Sequence, residues 1–94
     1  MLFDGDTIVF KSTGENYRAE ADLGKHWTFR ALTDNEWAQI WAQWEKGGLK
    51  HIRIELCDGQ GNILGSAFTR TLSHHPWHLG WLMNTNYVVF GWLP

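Results

Sequence analysis

Ninety-four residues can bury one modest hydrophobic core and are too few for two, so residues 1–94 read as a single domain. Ten acidic and eight basic side chains are spread without a run of Lys or Arg. That excludes the concentrated basic face needed to hold duplex DNA and leaves recognition of a single base or nucleotide open. The lone Cys57 excludes an internal disulfide and a four-cysteine zinc site.

The opening "MLFDGDTIVF" carries no basic n-region, apolar segment or cleavage site, and no apolar run reaches the length of a membrane span. A soluble, cytoplasmic protein is expected. Asp4-Gly5-Asp6 is turn-prone and introduces a short strand over 6–12. The polar stretch 13–24 reads as a loop holding a short helix around Tyr17 to Leu23. Residues 25–32 alternate, with Trp27, Phe29 and Ala31 on one face and Thr28 and Arg30 on the other, which predicts a strand.

The spacing predicts the principal helix over 34–46. Thr33 and Glu36 form a capping box, and Leu32 can staple onto Trp37. Trp37, Ile40, Trp41 and Trp44 then make one apolar stripe, read as core, and Gly47-Gly48 ends the helix. In 49–57, Ile52, Ile54 and Leu56 alternate with Arg53, Glu55 and Cys57, and "DGQGN" turns the chain into a returning strand over 63–72. A second hairpin is expected in 81–93, around Asn84-Thr85-Asn86. The sum is an α+β domain of about five mainly antiparallel strands, able to curl toward a barrel, with one principal amphipathic helix.

The stretch "SHHPWHLGW" (73–81) brings together His74, His75 and His78, candidate metal ligands by residue type. Pro76 breaks the helical spacing of His74 and His78, and no acid or thiol completes a set, so no metal is assigned. The bland alternative is a loop whose Trp77 and Trp81 pack inward. Seven tryptophans are unusual in so short a chain, and tryptophan is the residue most enriched at binding hot spots. Trp77, Trp81 and Trp92 lie outside the helix near turns and are the candidate docking anchors, with Arg70 and His78 as polar neighbours. Cys57 lies beside Asp58, whose charge disfavours a thiolate. Neither a nucleophile elbow, a dinucleotide fingerprint nor a P-loop is present, and no cofactor is expected.

"GKHWTFR" (24–30) carries the remaining chemistry. A Lys close to a Thr hydroxyl could ease its deprotonation, with a later carboxylate, Glu55, as acid/base. The competing reading is an exposed strand face with solvated charges. Gly24, Lys25, Thr28 and Arg30 resemble the signature of ASCH domains, small barrels related to PUA folds. That resemblance implies RNA or modified-nucleoside recognition and, for a few members, amide hydrolysis by Lys, Thr and Glu. It maps Lys25 and Thr28 onto two of those roles. The Gly-Asp pair such domains carry after the motif is missing there; the only one, Gly5-Asp6, precedes it. More broadly, Tyr17, the segments 24–30 and 52–54, and Phe68, Arg70 and Leu72 are similar in layout to short phage and prophage proteins, a likeness that implies no activity.

The leading expectation is therefore a small non-enzymatic binding protein of a phage or mobile element. It would dock an aromatic-rich surface on a host or phage macromolecule, a protein partner first, in the manner of an inhibitor. The alternative is an ASCH-like pocket for RNA or a modified nucleoside, with or without amide hydrolysis by Lys25, Thr28 and Glu55. Exposed sheet edges would admit a homodimer without specifying one.

Overall fold

The computed structural model describes residues 2–94. Gly5, with φ +60°, turns the chain between β1 (Phe3–Asp4) and β2 (Thr7–Thr13). The polar stretch that follows forms α1 (Gly14–Ala21). Then come β3 (Trp27–Thr33), α2 (Asp34–Glu45), β4 (His51–Cys57), β5 (Ile63–Thr71), β6 (Trp77–Leu82) and β7 (Thr85–Gly91). The strands make two sheets, ordered β1-β2-β4-β5 and β3-β7-β6. Their pairings are antiparallel except β2 with β4, whose crossover carries α1, β3 and α2. The domain is α+β. Among the described residues, no helix is long and apolar enough to cross a membrane.

Period-two alternation builds the core. Ile8 and Phe10 of β2, Ile52 and Ile54 of β4, and Val88 and Phe90 of β7 point inward. Phe10 stacks on Phe90 between the sheets, ring centres 5.1 Å apart. Each such side chain contributes about 1.5–3 kcal/mol through burial. The capping box of α2 is formed: Thr33 Oγ1 accepts from the Glu36 N–H at 3.1 Å, and Glu36 Oε1 accepts from the Thr33 N–H at 2.9 Å. The tryptophan stripe is wider than the surface it covers. Ile40 is fully buried, Trp37 and Trp44 only partly, and Trp41 is 41% exposed.

The sheets do not close into a barrel. On one side the chain leaves β5 through a corner where Leu72 bridges Trp92, with Ser73 and Leu93 N–H groups donating across it. On the other side β2 and β3 belong to different sheets and share no ladder. That open seam holds the polar cluster described below.

Three local expectations are revised. Residues 77–82 are a strand, not a loop. The second hairpin turns at Met83 and Asn84, with φ of 51° and 63°, one residue earlier than the asparagine pattern suggests. The Thr28–Arg30 face of β3 is not a solvated one: Thr28 and Leu32 are buried, while Trp27, Phe29 and Ala31 look outward.

Two consecutive positive φ values make a type I′ turn, which suits Asn84 and strains Met83. Met83→Asn is expected to stabilise the domain by roughly 0.5–1 kcal/mol, read from the urea midpoint. An unchanged or lower midpoint would contradict this turn.

Candidate binding cleft at the open seam

Leu32 must be buried beneath the cap of α2, and strand alternation then turns Arg30 and Thr28 inward with it. A guanidinium taken out of water needs a carboxylate, and α1 supplies the buried Glu20. Arg30 Nη2 lies 3.1 Å from Glu20 Oε2, 3.2 Å from Oε1 and 2.7 Å from Ser12 Oγ. Its Nη1 donates to the Lys11 carbonyl at 2.8 Å, and the guanidinium sits 4.9 Å over the Phe10 ring. The hydroxyls of Ser12 and Thr28 donate to Glu20 Oε1 and Oε2 respectively. One carboxylate and one guanidinium thus tie α1, β2 and β3 across the seam. Burial pulls the Arg30 guanidinium below its ordinary value, and the adjacent Glu20 charge opposes that shift.

A cleft of about 240 Å³ opens over this cluster. Its buried lining is Ser12, Glu20 and Thr28, and its exposed lining includes Asn16 and Trp27, with Lys25 between them in exposure. Lys25 reaches the cleft because β3 begins after it, which frees it from strand alternation. The turn that carries it is fixed from three directions. Asp22 accepts the Gly24 N–H on its carboxylate at 2.8 Å and the Lys25 N–H on its carbonyl at 3.0 Å. Trp92 donates its indole N–H to the Lys25 carbonyl at 3.1 Å and its backbone N–H to the His26 carbonyl at 2.8 Å. A Cβ at Gly24 would stand 3.3 Å from Asp22 Oδ1, so this position favours glycine by proximity. Lys25 Nζ rests 4.7 Å from the Trp27 ring centre.

The chemistry of the cleft follows from the groups that border it. Each Glu20 oxygen accepts one hydroxyl hydrogen bond, and the two N–H groups of Arg30 Nη2 are shared among both carboxylate oxygens and Ser12 Oγ. The Lys25 ammonium, resting on one face of Trp27, and the Asn16 amide border the cleft above a floor of hydroxyls held in fixed orientation.

The sequence-predicted residues are redistributed. Lys25 and Thr28 share one cleft, as the ASCH-like alternative requires, but their carboxylate is Glu20. Glu55 is in register with Lys11 and Ala67, lies 3.9 Å from Arg53 Nε, and does not line this cleft. Trp92 is 3% exposed, in the core beside Phe68, and acts as the clamp on the Lys25 turn rather than a docking anchor. Trp77 and Trp81 are both exposed but on opposite faces of β6. A bulge between His78 and Gly80 pairs Trp77 with Val89 and Trp81 with Asn86. Trp81 also donates to Asp34 Oδ1 at 2.8 Å. Arg70 lies over the Phe68 ring and donates to the Ala21 carbonyl at the end of α1.

His78 stacks on Trp37 and bonds Asn86, while His75 lies edge-on to Trp41 and Trp44. His74 bonds Ser73, so the three imidazoles have separate partners. No group of three His, Cys, Asp or Glu side chains among the described residues is placed to hold a metal ion.

Glu20 was hidden in a polar stretch without periodicity. The signal that points to it is indirect: Arg30 shares the parity of Leu32, and an inward Arg implies a buried acid. Comparison with family models, curated proteins and solved structures returns no match to this chain.

Removing one partner of a buried pair strands the other's charge. Glu20→Leu or Arg30→Met alone is therefore expected to cost about 3–5 kcal/mol, and the double substitution far less than the sum. Urea unfolding of the four proteins checks this; additive losses would mean that the pair is not coupled.

Proposed function

We propose that the seam cleft recognises a nucleoside, either free or displayed in single-stranded RNA, and acts as a binding site rather than a catalyst. The observation that carries this is the convergence of Lys25 and Thr28 with the buried Glu20 in a cleft bordered by the half-exposed Trp27. A base is planar, with donors and acceptors along its edge, and suits an aromatic face beside a polar floor. The volume, about 240 Å³, is below that of drug-sized pockets and suits a single base. With no concentrated basic face, specificity would come from the base and not from phosphates. The resemblance of Gly24, Lys25, Thr28 and Arg30 to the ASCH signature supports the same ligand class.

Docking through an aromatic surface remains the second reading, and one observation favours it: Trp77 is exposed on a sheet face that no helix covers. Its other anchors do not join that face. Trp92 is core, Trp81 faces the opposite way, and His78 and Arg70 have intramolecular partners.

Calorimetric titration with ribonucleosides, base-modified ribonucleosides and a short single-stranded RNA tests the cleft. Trp27→Ala is expected to weaken binding roughly 5- to 100-fold through lost stacking, and Lys25→Ala on the order of tenfold. Binding of no probe, or binding untouched by both substitutions, would overturn the assignment. Release of acid from an N-acylated nucleoside would show catalysis in place of simple recognition.

A further inference from the structure

We infer that the outer face of the β3-β7-β6 sheet is the two-fold interface of a homodimer. Cross-strand register puts Phe29, Val89 and Trp77 in one row. Trp27 flanks it on one side, and Ala31 with Tyr87 on the other. Phe29 and Tyr87 stack with ring centres 5.8 Å apart, which makes a continuous aromatic sheet surface. Trp27, Phe29 and Trp77 are 49%, 46% and 60% exposed. No helix lies on this face: the buried residue of α2, Ile40, joins the core cluster with the inward-facing Leu32 and Val88.

Three features select a second copy as the occupant. The first is charge. The outward positions of these strands (Trp27, Phe29, Ala31, Thr33, Thr85, Tyr87, Val89, Trp77 and Leu82 in register with Thr85) contain no ionisable acid or base apart from the Tyr87 phenol. A two-fold axis sets the same patch against itself, and an uncharged patch meets neither like-charge repulsion nor an unpaired buried charge. The second is area. Aromatic side chains bury on the order of 150–250 Å² each, so this half-exposed set offers roughly 500 Å² per copy before its rim is counted. With the rim, two copies approach the ~1,200 Å² at which specific interfaces begin. The third is the lack of cations. A nucleic acid strand stacking here would find no Lys or Arg on the face for its phosphates, and Lys25 stands only at the corner, against Trp27.

Trp27 and Phe29 also line the seam cleft, so assembly is read without any nucleoside and through Trp77 and Val89, which do not line it. Sedimentation velocity of the full chain from low micromolar to near-millimolar concentration is expected to show mass rising from 10.9 kDa toward twice that value. Trp77→Arg, at an exposed edge position, and Val89→Lys, in the central strand, should each weaken the dimer about tenfold or more with unchanged circular dichroism. Should Val89→Lys fail to fold, Trp77→Arg alone decides. A monomer throughout the range, or a dimer that keeps its affinity in folded Trp77→Arg, overturns the proposal. So does a monomer that instead sediments with neutral phosphatidylcholine vesicles through Trp77, since that assigns the face to a lipid surface.

Discussion

The Arg30 guanidinium bridges a gap that backbone hydrogen bonding leaves open between β2 and β3, and Glu20 from α1 holds it there. Much else is arranged around that contact. It brings α1 down onto the seam, turns the Thr28 and Ser12 hydroxyls toward a common acceptor, and leaves the cleft polar at its base. Two apolar side chains of similar volume could close the same gap, and buried ion pairs are often no more stabilising than such replacements. Arg30 Nε, also buried, has no hydrogen-bond partner among the described residues, a further cost of placing the guanidinium here. A fold optimised only for stability has little reason to keep this cluster. The proposed recognition site would have a direct one, since it needs donors and acceptors in fixed orientation.

The reach of sequence reasoning depended on whether local pattern or long-range pairing decided each feature. Alternation located β3 and β4, turn chemistry located β2, β5 and the hairpin that ends in β7, and capping chemistry located α2 to within a residue. The orientation of β3 was less legible. Trp27, Phe29 and Ala31 look like the core face by composition, yet the buried Leu32 enforces the opposite parity. The bulge in β6 was invisible in sequence, because Trp77 and Trp81 share a parity that only an extra residue in the ladder can break. Trp92 near the chain's last turn looked like an exposed anchor, whereas its indole N–H found a carbonyl in the interior.

Half of the candidate site was legible for related reasons. Lys25, Thr28 and Arg30 stand in a recognisable seven-residue pattern. Their acid comes from a different element, brought near by the crossover between β2 and β4, and no spacing rule reports that proximity. Glu55, the later carboxylate, stands on a strand that lies on the other side of β2 from β3. The excess of aromatic residues resolves into separate uses: a core and its clamp at Trp92, a layer of indoles and imidazoles between α2 and the 75–78 segment, and an outward sheet face. The histidines of "SHHPWHLGW" belong mainly to the second of these.

Amide hydrogen exchange in Glu20→Gln, which keeps the shape and removes the charge, tests most directly whether this pair closes the seam. Protection should fall together at Lys11–Thr13 and Trp27–Arg30, while the amides shared by β4 and β5 keep theirs. Unchanged protection on both sides of the seam would contradict the account, because the cleft would then be held by packing alone.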